Sequence, residues 1–124
     1  MPDAAVVVFT RKPVDEIRGV GGSASWVLNP DRVRRCEYVV CVRNQRGGGS
    51  TRRTTEPHGT AFLIGRVVGV VPHPRHVGTG WLIRMDEYAA LKKPNAWNGQ
   101  RNPVRYATLE GLGIDTSLLR FMPI

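Results

Sequence analysis

The run from Gly59 to Val71, Gly-Thr-Ala-Phe-Leu-Ile-Gly-Arg-Val-Val-Gly-Val-Val, constrains the fold of this chain more than any other stretch. Its density of β-branched residues and its length read as a strand with apolar side chains on both faces. Phe62, Ile64, Val68 and Val70 fall on one face; Ala61, Leu63, Gly65, Val67, Gly69 and Val71 fall on the other. A strand buried on both sides belongs at the centre of a sheet or in a barrel wall. Glycines at 65 and 69 let it bend, bulge or accept a close backbone, and bent strands of this kind close small barrels.

The neighbouring segments fit such a sheet. Ala4 to Thr10 reads as a buried strand, Cys36 to Arg43 as a second, and Trp81 to Met85 as the one after the long run; Leu118 to Met122 reads as a closing strand. In the second, Cys36, Tyr38, Val40 and Val42 share one face, and Glu37, Val39, Cys41 and Arg43 the other. Helical turns are expected at Pro13 to Arg18, from Pro30 to Arg35 behind an Asn29 cap, at Asp86 to Leu91, and at Thr108 to Gly111. Gly21 to Ser25 reads as a flexible loop, and residues 45–57, with three consecutive glycines and Arg46, Arg52 and Arg53, as a mobile basic one. A solvated hairpin connection accounts for that second loop equally simply. The 124 residues show no repeat and no interdomain linker, which fits one domain. The expected class is α+β, mainly β: a small bent sheet or barrel with two or three short helices.

Charge narrows the partners. The chain carries a formal +8, with no net charge over residues 1–30 and the largest excess between 31 and 66. Fifteen of its eighteen cations are arginine, whose planar fork suits phosphate and base edges. A GC-rich genome also raises Arg, Gly, Ala and Val, so charge speaks to partners only in concert with a site. Cys36 and Cys41 are an odd number of residues apart in a strand-like segment, which assigns them to opposite faces, without a shared bond or metal, in a reducing compartment. No apolar run reaches membrane-spanning length, and Met1 to Phe9 reads as a first strand rather than a signal peptide. The expectation is a cytoplasmic protein.

One segment carries chemistry. Trp97-Asn-Gly-Gln-Arg-Asn-Pro-Val-Arg-Tyr106 brings together two aromatics, two arginines, two asparagines and a turn-forming Asn-Gly. Such a loop can stack on a base, match its edge through Asn102 and neutralise phosphate through Arg101 or Arg105. The same residues also suit a cross-braced loop in which Trp97 covers the core. Trp26 and Trp97 both sit in loop-like contexts and are candidates for a shared aromatic cage, with separate core tryptophans as the alternative.

Trp97 to Asn102 resembles the Trp-Asp-Gly-Val-Arg-Asn string of EVE domains, members of the PUA-like superfamily. Phe62 to Val70 is similar to their barrel strand, and Trp81 to Arg84 to a following one. The resemblance covers about a third of the chain. It implies a PUA-like β-barrel of the EVE/ASCH type that binds RNA or modified bases, with Trp97, Arg101 and Asn102 lining the pocket. In EVE domains the string follows the first strand, whereas here it follows the expected barrel strands.

The reading that results is a non-catalytic module binding RNA or DNA, or a modified base within it, through an aromatic and arginine pocket. Trp97 and Trp26 would wall the pocket. Arg101, Asn102, Arg105, Arg43 and Arg66 would serve base edges or phosphate, and Arg46, Arg52 and Arg53 non-specific attraction. No cofactor, metal or membrane is called for. Two rivals remain: a module docking an acidic protein partner, and a small hydrolase or nuclease using Cys41 with Glu56 and His58, or His73. His73 to His76 lacks the donors of a zinc site.

Overall fold

The computed structural model describes residues 4–45, 55–73 and 78–124. About 46% of the described residues are strand, well above the 20–25% usual in globular proteins, and among them three short helices accompany a strongly curled half-barrel sheet. The α+β, mainly β class is therefore as the sequence implies.

In chain order the elements are β1 (Ala4–Thr10), α1 (Val14–Val20), β2 (Gly22–Trp26), α2 (Pro30–Arg34), β3 (Tyr38–Arg43), β4 (Ala61–Pro72), β5 (Trp81–Lys93), β6 (Val104–Thr108), α3 (Leu109–Leu112) and β7 (Met122–Pro123). A 3-10 turn at Thr116–Leu118 precedes β7. The sheet runs β2-β5-β4-β3-β1-β6, and β7 pairs with β5. Among the described residues only β1 and β3 pair in parallel, joined by a crossover through α1, β2 and α2. The edges are β2 and β6, which are also the two lips of the curl.

Both faces of the sheet are covered, which explains the unbroken apolar runs. Val6, Val8, Val39 and Cys41 point to a layer closed by Ile17 of α1 and Val33 of α2. Ala5, Val7, Phe9, Val40 and Val42 point to the other, closed by Leu109 of α3 and Ile114. The caps match the sequence: the Asn29 side chain accepts from the amides of Asp31 and Arg32, and Thr108 from that of Gly111.

Five expectations change; the C-terminal one is that Leu118 ends a 3-10 turn and the closing strand β7 holds only Met122–Pro123. Gly21 to Ser25 is no loop, because β2 starts at Gly22, where a Cβ would run into the Ile83 carbonyl of β5. Asp86 to Leu91 is no helical turn: β5 continues to Lys93, setting Tyr88 opposite Gly65 and Ala89 opposite Ile64. Pairing with β4 outweighs local propensity there. Cys36 precedes β3, so strand alternation does not apply to it; it packs in the same layer as Cys41, and both thiols are free. Finally, register shifts along β4 reset its alternation, so that Phe62 and Leu63 join one layer while Ala61 and Ile64 join the other. Gly65 does accept a close neighbour, the Met85 side chain, but Gly69 has none within 4 Å.

Candidate functional site

The Trp97 loop takes the cross-braced form. Beyond β5 the chain turns at Asn95, whose φ is 57°, and the Ala96 amide ties back to the Gly59 carbonyl at 2.8 Å. Trp97 then stacks on Phe9, with ring centroids 4.5 Å apart and planes 9° from parallel. Its Nε1 donates to the Gln100 carbonyl at 3.3 Å. Asn98 Oδ1 accepts from the Gln100 amide at 3.1 Å, and Gly99 takes the positive φ of 85° that the Asn-Gly pair foretold. The Gln100 side chain donates to the carbonyls of Asn102 and Val104. Arg105 lies 5.8 Å from the Trp97 ring centre and donates from Nη2 to the Ala96 carbonyl at 3.0 Å. Trp97 and Arg105 are thus spent largely on one another, on Phe9 and on the backbone.

Trp26 lies elsewhere. It packs against the layer of Val6 and Val8, whereas Trp97 packs against the layer of Phe9, on the opposite face of the sheet. The two tryptophans do not wall one pocket, which corrects the shared-cage expectation. Trp26 instead meets Asn102. Ser25, Trp26 and Val27, at the end of edge strand β2, line a cleft of about 310 Å3 with Asn102 and Pro103, which lead into edge strand β6. The cleft therefore sits at the seam where the curled sheet brings its edges together.

Its walls are set by the chain. Trp26 Nε1 donates to Ser23 Oγ at 2.8 Å, fixing the indole. Asn102 Oδ1 accepts from the Val104 amide at 3.0 Å, which leaves its amide nitrogen without a partner among the described residues. Val27 and Arg101 are exposed beside them. Near the seam, the Arg32 guanidinium covers the Tyr106 ring at 3.8 Å. Burial raises the Tyr106 phenol above its ordinary value, while Arg32 pulls it back.

The remaining candidates divide by environment. Arg43 is fully buried, so it faces no phosphate. Its Nε donates to Glu56 at 2.9 Å, its Nη1 to the carbonyls of Lys12 and Thr10 at 2.7 and 3.3 Å, and its plane covers the Phe62 ring at 3.8 Å. Strand parity carried that signal, since it set Arg43 beside Val39 and Cys41 on a buried face. Arg66 is exposed but engaged with Asp86 at 3.4 Å and Glu87 at 3.1 Å. Arg46, Arg52 and Arg53, with most of the 45–57 loop, lie outside the described residues. Sequence reading missed Ser25, Val27 and Pro103, which have no distinctive chemistry until the fold brings them to one cleft.

The proposed hydrolytic set is not assembled. Cys41 is fully buried in the layer of Val6 and Val8, and burial pushes its thiol up to about 12, against smaller lowering by Arg43 and a hydrogen bond with Ser23. Such a thiol is not a nucleophile near neutral pH. His58 is exposed, accepts from the Gln45 amide at 3.1 Å and sets its edge against Phe9, while Glu56 serves Arg43. Among the described residues, no three His, Cys, Asp or Glu side chains gather as a metal set, and no helix is long and apolar enough to cross a membrane.

The fold and the cleft define a class only: a mainly β half-barrel domain with an aromatic and amide cleft at its seam. Comparison with family models, curated proteins and solved structures finds no match for the chain.

Proposed function

We propose that this protein is a non-catalytic nucleic-acid-binding module that receives one exposed base, ordinary or modified, in the seam cleft. The observation that carries the reading is the meeting of Trp26 and Asn102 in one cleft of about 310 Å3, beside the exposed Arg101. That volume lies at the small end of ligand pockets, which run from about 300 to 1,000 Å3. An indole face stacks on any base, a free amide donor meets a base edge, and a neighbouring guanidinium meets phosphate. The resemblance to EVE and other PUA-like domains supports the same ligand class. Here Trp26, rather than Trp97, is the stacking residue. Two free thiols suit a reducing, cytoplasmic setting.

The test is a titration of labelled single-stranded RNA, single-stranded DNA and duplex, at about 50 and 200 mM salt. Binding that weakens steeply with salt and falls about tenfold in Trp26→Ala is the expected result. If none of the oligonucleotides binds at the lower salt, the proposal fails.

A further inference from the structure

β4 outruns the strand beside it. β3 begins at Tyr38, opposite Arg66, and the backbone bonds towards that side end with the Val67 amide on the Glu37 carbonyl at 2.9 Å. Beyond this point β4 keeps β5 on one side, through Gly69 with Arg84, Val70 with Ile83, Val71 with Leu82 and Pro72 with Trp81. Among the described residues, no strand covers the other side. Backbone groups on such an edge need partners. The Val70 carbonyl has one in Arg34 of α2, whose Nη2 donates at 3.2 Å. That guanidinium stands where the N–H of a neighbouring strand would stand. The Arg34 side chain is 48% exposed, and its other contact, with the exposed Asp31, is a surface ion pair of little strength. An arriving strand therefore displaces it at small cost and leaves its charge free.

The surroundings favour one kind of arrival. A cleft of about 490 Å3 runs along the edge, lined by Arg34, Arg84 and the stretch of β4 from Val67 to Val71. Val68 and Val71 are 53% and 36% exposed, unusual for β-branched side chains on a strand so apolar elsewhere. Arg84 is exposed and has no acidic partner among the described residues. A backbone edge that meets α2 and its Arg34 but no strand among the described residues, two exposed valines and two exposed guanidiniums thus coincide.

We infer that the Val67–Val71 edge of β4 docks an extended acidic peptide, which adds to the sheet as a strand and sets its carboxylates against Arg34 and Arg84. Backbone bonds supply affinity in this mode, and the side chains that alternate above and below supply specificity. A second copy of the chain fits poorly, because pairing two such edges would bring four guanidiniums together in molecules of formal charge +8 each. A nucleic-acid backbone would use the arginines but leave the valines and the strand edge unused.

The experiment titrates the full chain into four fluorescein-labelled hexapeptides: alternating Glu and Val, alternating Lys and Val, and two forms of the acidic peptide, each N-methylated on one alternate set of residues. The acidic peptide should bind, the basic one at least about tenfold more weakly, and one of the two methylated forms likewise. Bound acidic peptide should protect the Val68 and Val70 amides from hydrogen exchange. The double variant Arg34→Glu with Arg84→Glu, if it melts like the parent, should lose about tenfold for the acidic peptide. Methylation without effect would overturn the inference, since adsorption would then be by charge alone. So would absence of binding at millimolar peptide, or a homodimer that protects the same amides. Loss of oligonucleotide affinity in the double variant with peptide affinity intact would assign the edge to phosphate and overturn it too.

Discussion

Trp97 and Trp26 are the same side chain put to different uses on the two faces of one sheet. Trp97 lies parallel to Phe9, within reach of Arg105, in a loop whose polar groups bond one another. Trp26 is pinned by a single hydrogen bond to Ser23 and opens onto a cleft with Asn102. The difference comes from what each segment must finish. The Trp97 loop packs against a covered face and is braced by several internal bonds, while its Asn102 amide nitrogen and the buried Arg105 Nε have no partner among the described residues. Trp26 ends an edge strand at the lip of a half-barrel, where the neighbouring wall is another edge. The open cleft lies where closure of the sheet is incomplete.

The contrast can be broken by substitution. Trp97→Ala should cost about 2 kcal/mol of stability, read by urea unfolding, because it removes a half-buried ring stacked on the buried Phe9. Affinity per folded molecule should be unchanged. An equal loss of binding would mean that the Trp97 loop, not the seam, is the site. Trp26→Ala should do the reverse: a modest stability change and about tenfold weaker oligonucleotide binding, worth about 1.4 kcal/mol.

A third measurement probes how tightly the core closes behind the seam. The Cys41 thiol titrates near 12 when folded, against an ordinary 9.0, so between those values the folded chain holds a proton that the unfolded chain has released. Stability should therefore fall as pH rises from 9 towards 12, by about 1 kcal/mol at pH 10 from this group. Cys41→Ala should show a shallower decline in unfolding experiments at pH 8 to 10. The native protein should also react slowly with a thiol reagent, since both cysteines are buried. The smallest effect belongs to Arg101. Its replacement by Ala should weaken binding uniformly across sequences and reduce the salt slope by about one. A loss confined to one sequence would make Arg101 a base-edge reader instead.

How far the sequence carried is clearest in individual elements. Ala4 to Thr10 and the Val39 to Val42 stretch announced themselves, because continuous β-branched runs have few alternatives. The Asn29 and Thr108 caps were equally legible, since a cap needs only the next three residues. β2 was not, because Gly-Ser-Ala-Ser looks like a loop until β5 lies beside it. The alternation along β4 failed at its bulges, which are settled by pairing with two neighbours at once. Among the candidates, Trp26 and Asn102 do share one cleft, while Trp97, expected beside them, packs on the other face of the sheet.

By itself, then, the sequence determined the mainly β class, the two-sided burial of the central strands, the local caps and an inventory of side chains suited to a base and its phosphate. These follow from periodicity and short-range bonding, which residues a few positions apart decide. The tertiary structure alone decided that Arg43 is an internal strut, that the half-buried Trp97 stacks on Phe9, and that Trp26 shares a cleft with Asn102 across 76 positions of chain. Those outcomes depend on sheet curl and strand register, which arise from all the strands packing together and are written in no single segment.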